Sequence, residues 1–379
     1  MKKNLFILAV AAFALASCSN DDTVAENVSF NESNAISFRT SVNGVTRAAD
    51  QSASTLQTNG FYVTARQNPT SGEASTYFDN VWFKYTSGTY NSETKYYWPS
   101  DGTLDFFAYA PATDAQLNRT NYTTFTVTPA TTAATQVDFL YANTDGKTKA
   151  GPYKTETYGS LGVPLNFRHA ESKIIIKLKN TNANLTFTVG DVAIGNVKGS
   201  GVFTYADASN TDAHNDGNLT TAEWNVASAS NATYTQTVTS GSAYSTSSEA
   251  QAGVDLILIP QALSVATAYA NEGTAAVNDP FNGAFITVQI KVQNTNNNAY
   301  VVGGADTFVT AMWPLTALTW TPGYAYTYTV DLAGGGYYTT NQDTNEDLDP
   351  ILENAVIKFV DVTVDEWDAA TGTVYTEGL

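Results

Sequence analysis

Few side chains in this 379-residue sequence are suited to catalysis or metal binding. There are two histidines, His169 and His214, and one cysteine, Cys18. A lone thiol excludes a disulfide framework and a zinc–thiolate cluster. Asp343, Asn345, Asp347 and Asp349 alternate as calcium-loop ligands do. Leu348 stands where that loop needs its turn glycine, and Asn354 where it needs a bidentate glutamate, so the stretch reads as a solvated acidic linker. His214 lies between Asp212 and Asp216 in a Gly/Asn loop and reads as loop, not metal ligand. His169 sits in Phe167-Arg168-His169-Ala170, entering a strand, and is expected to bond a neighbouring loop. No zinc-protease motif, phosphate loop, dinucleotide fingerprint or nucleophile elbow occurs. Trp82, Trp98, Trp224, Trp313, Trp320 and Trp367 are scattered, and most are expected in the core, not on a sugar-binding platform. No catalytic residue, metal or cofactor is therefore expected. A formal net charge of -18 repels phosphate backbones and argues against nucleic acid as a partner.

The chemistry that remains is at Cys18. Lys2 and Lys3 precede an apolar run, Leu5 to Ala16, that is too short to span about 30 Å of hydrocarbon as a helix. Leu15-Ala16-Ser17-Cys18 resembles a lipobox, where the chain is cut before the cysteine and the thiol is lipidated. That resemblance implies a signal peptide over residues 1–17 and an outer-membrane anchor at Cys18. Ser19-Asn20-Asp21-Asp22 resembles the surface-export tether of such lipoproteins.

The remaining sequence must supply the scaffold, and its apolar pattern has period two almost throughout. Ile36, Phe38 and Val42 share one face of an N-terminal strand, and Phe61, Val63 and Ala65 share another. Val137, Phe139 and Tyr141 repeat the pattern. Ile174, Ile176 and Leu178 alternate with Lys173, Lys177 and Lys179, which predicts a half-buried strand. Ile286 to Val292 and Tyr324 to Leu332 give two more clean faces. Each strand buries one face and needs a facing sheet, so the fold class is all-β, with sandwich architecture. The polar, glycine-bearing stretch Thr144 to Ser160 is the expected domain boundary, and Gly334-Gly335-Gly336 a second break.

Several phrases together resemble the fimbrillin family, pilins and pilin-like lipoproteins of Bacteroidales. They are Ile36-Ser37-Phe38 followed by Thr46-Arg47-Ala48, then Gly60-Phe61-Tyr62-Val63, Tyr97-Trp98-Pro99 and Leu104-Asp105-Phe106-Phe107-Ala108-Tyr109-Ala110-Pro111. Leu165-Asn166-Phe167-Arg168-His169-Ala170, Leu258-Ile259-Pro260-Gln261, Trp320-Thr321-Pro322-Gly323-Tyr324 and Val362-Thr363-Val364 with Trp367 complete the series.

The resemblance implies two transthyretin-like β-sandwich domains in tandem, 48–160 and 161–333, behind a lipidated propeptide, 18–47. Residues 334–379 would be a Gly/acidic linker with a C-terminal strand arm. It also implies assembly. An Arg-specific surface protease removes an N-terminal strand, and a strand from another pilin subunit fills the groove. Between Cys18 and Lys84 the basic residues are Arg39, Arg47 and Arg66. Arg39 lies inside the first strand, and Arg66 is expected in a core position at the end of the next. Arg47 precedes the small-residue stretch Ala48-Ala49-Asp50-Gln51-Ser52, which suits nicking between Arg47 and Ala48. The removed strand would carry Ile36, Phe38 and Val42. The donor would carry Val356, Val360, Val362 and Val364. A pilus tip or anchor subunit, and a monomeric surface glycan-binding lipoprotein, are the competing expectations.

Overall fold

Alternation becomes strand along most of the chain. The structure, a computed structural model, describes residues 35–42, 53–111, 115–150, 162–205, 224–238, 242–244, 248–266, 282–334, 336–339, 348–350 and 360–367. Cys18, Arg47, Ala48, His214 and Val356, with Asp343 to Asp347, lie outside the described residues.

Up to residue 169 the strands are β1 (Phe38–Val42), β2 (Phe61–Asn68), β3 (Ser75–Thr86), β4 (Thr89–Ser92), β5 (Thr103–Ala110), β6 (Leu117–Arg119), β7 (Thr124–Val127), β8 (Leu140–Lys147) and β9 (Val163–His169). Seven of them form one ladder, β1-β4-β3-β2-β5-β8-β9, which closes because β9 pairs back onto β1. Phe61, Val63 and Ala65, expected on one face, are fully buried inside it with Phe83, Phe106, Leu165 and Phe167. Helix α1 (Ala53–Asn59) drops Leu56 into the same core. It ends on Gly60 at φ 72°, whose N–H donates to the Leu56 carbonyl at 2.8 Å. A Cβ there would run into the Phe83 carbonyl, so glycine makes this helix stop.

From Ser172 onward come β10 (Ser172–Lys179), β11 (Leu185–Lys198), β12 (Gly201–Thr204), β13 (Trp224–Asn225), β14 (Asn231–Gln236), β15 (Ser242–Tyr244), β16 (Ala250–Gln251), β17 (Leu256–Leu258) and β18 (Ala262–Leu263). They are followed by β19 (Phe285–Asn294), β20 (Tyr300–Val302), β21 (Val309–Pro314), β22 (Leu318–Thr319), β23 (Tyr324–Asp331), β24 (Tyr337–Thr339), β25 (Leu348–Pro350) and β26 (Asp361–Glu366). One sheet runs β16-β10-β23-β26 with β17 also on β10; a larger one runs β14-β11-β19-β21-β24-β25. Their inner faces share one apolar core, which holds Ile174, Ile176, Val288, Ile290, Tyr328 and Val330. A smaller sheet, β13-β12-β7-β6, pairs β7 with β12, which precede and follow β8 to β11 in the chain, and packs on Tyr109, Phe139 and Tyr141.

The expected division between residues 160 and 161 does not coincide with the change of sheet. Thr144 to Lys147 continue β8, and β9 fills the barrel core with Val163, Leu165 and Phe167. The chain crosses into the second core at the bend Ala170-Glu171, immediately before β10. Nor do the described parts of 334–379 stand free: β24 pairs β21, β25 pairs β24 and β26 pairs β23. The open edges of β21 and β23 offer unpaired backbone groups, and the returning chain satisfies them.

Candidate assembly site

β1 closes the barrel alone. On one side it runs parallel to β9 through five register pairs, from Phe38↔Val163 to Val42↔Phe167. On the other it meets β4 at one pair, Phe38↔Tyr90. Just before β1, Ile36 N–H donates to the Tyr96 carbonyl at 2.7 Å, and Val163 N–H to the Ser37 carbonyl at 2.8 Å. The Phe38 ring stands edge-on to Phe83 at 4.8 Å and Phe106 at 5.1 Å, centroid to centroid. Gly162, at φ 79°, lets the β9 entry approach so closely that a Cβ would lie 2.9 Å from the Phe38 carbonyl carbon. Of the removable-strand residues, Ile36 and Phe38 are thus buried in the barrel core, and Val42 is the last pair of the β1–β9 ladder. Arg39 lies inside β1, as expected. Arg66 departs from expectation. It lies within β2, half-buried on the face opposite the core, where its guanidinium donates to Thr76 Oγ1 at 2.9 Å and to the Ala74 carbonyl at 3.1 Å. The alternation that buries Ala65 turns its neighbour outward.

The strand expected as donor is docked within its own chain. β26 pairs antiparallel with β23 from Tyr324↔Glu366 to Thr329↔Asp361, placing Val362 opposite Tyr328 and Val364 opposite Tyr326. Val360 is buried and Val362 half-buried, but Val364, on the same face, is 46% exposed. The intramolecular seat therefore uses only part of this apolar face.

A buried polar cluster lies where barrel and second core meet. His169, the last residue of β9, shares a 2.9 Å hydrogen bond between Nδ1 and the Asp138 carboxylate. Its Nε2 is buried with no hydrogen-bond partner among the described residues. The ring instead stacks on Trp367 with centroids 4.0 Å apart and planes 13° from parallel. Lys173 Nζ lies 5.0 Å from the Trp367 ring centre and 3.9 Å from the Asp255 carboxylate. Alternation alone put Lys173 in solvent; the indole covers that face and buries it. Trp367 is 3% exposed, and its backbone N–H donates to the Gly323 carbonyl at 2.8 Å. Asp138, Glu171, Asp255 and Trp367 carried no local signal of this meeting, because each comes from a different stretch of chain. Among the six tryptophans Trp82 is the one exposed, at 44%, so no exposed tryptophan platform forms.

Glu171 is fully buried at the bend, accepting the Phe139 N–H at 3.1 Å. Burial, reinforced by the nearby Asp138 charge, pushes its carboxyl well above 4.5. The folded chain then keeps a proton that the unfolded chain loses. This contribution to stability is complete below about pH 4.5 and is lost as pH rises through the folded value, by at most about 1.4 kcal/mol per pH unit. Glu171→Gln is expected to flatten that slope, matching the parent near pH 4 and exceeding it at pH 8, as urea midpoints at the two pH values would show. Equal slopes would place the proton elsewhere.

The chain is all-β among its described residues apart from short helical turns, and its first ladder is closed by a single N-terminal strand. The chain belongs to the fimbrillin-like family, which it matches over residues 46–367. Among solved structures it is similar to a fimbrial protein from Bacteroides vulgatus, at 15% identity and TM-score 0.52, over 87% of this chain and 99% of that one. It is also matched by the fimbrial anchor protein Mfa2 from Porphyromonas gingivalis, at 9% identity and TM-score 0.33, over 89% and 99% of the two chains. Among curated proteins there is no match. The likeness at TM-score 0.52 is one of fold.

Proposed function

We propose that this chain is a structural subunit of a cell-surface pilus serving adhesion, not an enzyme. It is exported as a lipoprotein through Cys18 to the outer membrane, cut between Arg47 and Ala48 by an Arg-specific surface protease, and joined to other pilin subunits by strand exchange. The observation that carries this reading is the position of β1. Arg47 falls in sequence between β1 and α1, so one cut detaches one strand. Its loss exposes the β9 and β4 edges together with the slot that Ile36 and Phe38 fill. A strand with an alternating apolar face restores both ladder and burial. The half-used valine face of β26, with Val356 before it in sequence, fits that role once the strand leaves β23.

N-terminal sequencing of pilus subunits tests the cut: the first residue is expected to be Ala48, and a start elsewhere would contradict the assignment. Cys18→Ser is expected to leave an unprocessed precursor inside the cell, read by fractionation and by loss of fatty-acid labelling. Normal surface display of that variant would remove the lipoprotein step. A second reading, a tip or anchor subunit, is favoured by one observation: β26 already has a place on β23 of its own chain.

A further inference from the structure

β9 serves two contacts at once. Among the described residues, Val163 to Phe167 have β1 as their only ladder partner. β8 joins β9 only at its end, through Tyr141↔Arg168 and Leu140↔His169. That end is the seat of the last strand: His169 stacks on Trp367, which follows β26 directly. Elsewhere β26 is held by its ladder to β23 and by Val360 and Val362, with Thr363, Val364 and Asp365 exposed and its outer edge unpaired among the described residues.

From this connection we propose that loss of β1 releases the last strand, so that the cut which opens the slot also frees the strand that fills another. The role assigned to the release rests on the pilus reading above; the coupling itself does not. Without β1, five residues of β9 keep their core side chains but no backbone ladder, and their fluctuations reach His169 two residues on. A moving imidazole no longer presents a fixed plane to Trp367, and Lys173 loses the indole that covers it. Trp367 is a positioning residue in this scheme. The coupling must be reciprocal, so loosening Trp367 also loosens β1.

Amide hydrogen exchange on the full, uncut chain tests this without cleavage or polymer. Phe38→Ala loosens β1, and exchange is expected to rise about tenfold or more in both Val163–Phe167 and Asp361–Glu366. Leu104→Ala, an equally buried change on β5, is expected to loosen the barrel while leaving Asp361–Glu366 protected. Trp367→Ala is expected to raise exchange at Phe38–Val42. If Phe38→Ala unfolds the chain, Phe38→Leu gives the same paired rise at smaller size. A rise in β9 with an unchanged last strand, or an equal response to Leu104→Ala, overturns the coupling. Failure of an Arg-specific protease to cut after Arg47 would instead overturn the pilus reading and leave this result standing.

Discussion

Phe38→Ala is expected to destabilise the uncut precursor by about 3–5 kcal/mol and to leave the assembled subunit unchanged. The ring is fully buried and touches Phe83 and Phe106, so its removal leaves a cavity walled by rigid aromatics that cannot collapse into it. The size of the loss follows from burial. Its disappearance after assembly follows from the account of β1, because a strand cut away with residues 1–47 cannot weaken a fibre that lacks it. Chemical denaturation of the precursor should show the lower midpoint, and fibres grown from parent and variant should dissociate at the same denaturant concentration. Fibres that inherit the instability would mean that β1 stays.

Removal of residues 351–379 is expected to abolish self-assembly while preserving fold and cleavage. The truncation forfeits the burial of Val360 and Trp367, about 1.5–3 kcal/mol for each side chain. The core shared by β10, β11, β19 and β23 stays, and it is much larger. Such a subunit keeps a slot but has no strand to give. Added at about one part in ten to the full chain, it should therefore end growing fibres and shorten them severalfold, as length distributions in electron micrographs would record. Fibres formed by the truncated chain alone would show that the donor lies elsewhere. Loss of the fold would show that β26 is an obligatory strand of its own subunit.

Strand faces were legible because alternation is a local property. Ile174, Ile176 and Leu178, or Ile286, Val288, Ile290 and Val292, declare their buried side within a few residues, and all seven are buried. The all-β class followed from the same signal. Partnerships were not legible. Nothing near Phe38 announces a parallel pairing with Val163, and nothing near Val163 says that it belongs before the crossing into the second core, because a ladder partner is not a local property. The sequence showed the valines of the last strand, but not that β23 presents an open edge to receive them. His169 was expected to bond a nearby loop; Asp138 does hold it, and the stacking on Trp367 arises only when the chain's end folds back.

The central claim, one cut followed by strand exchange, is most directly tested by treating purified precursor with an Arg-specific protease and running the product on a denaturing gel without boiling. The account predicts a ladder of detergent-resistant multimers that collapses on boiling to one band whose N-terminus is Ala48. A single monomer band bearing that N-terminus before boiling, or a chain left uncut at Arg47, would contradict it.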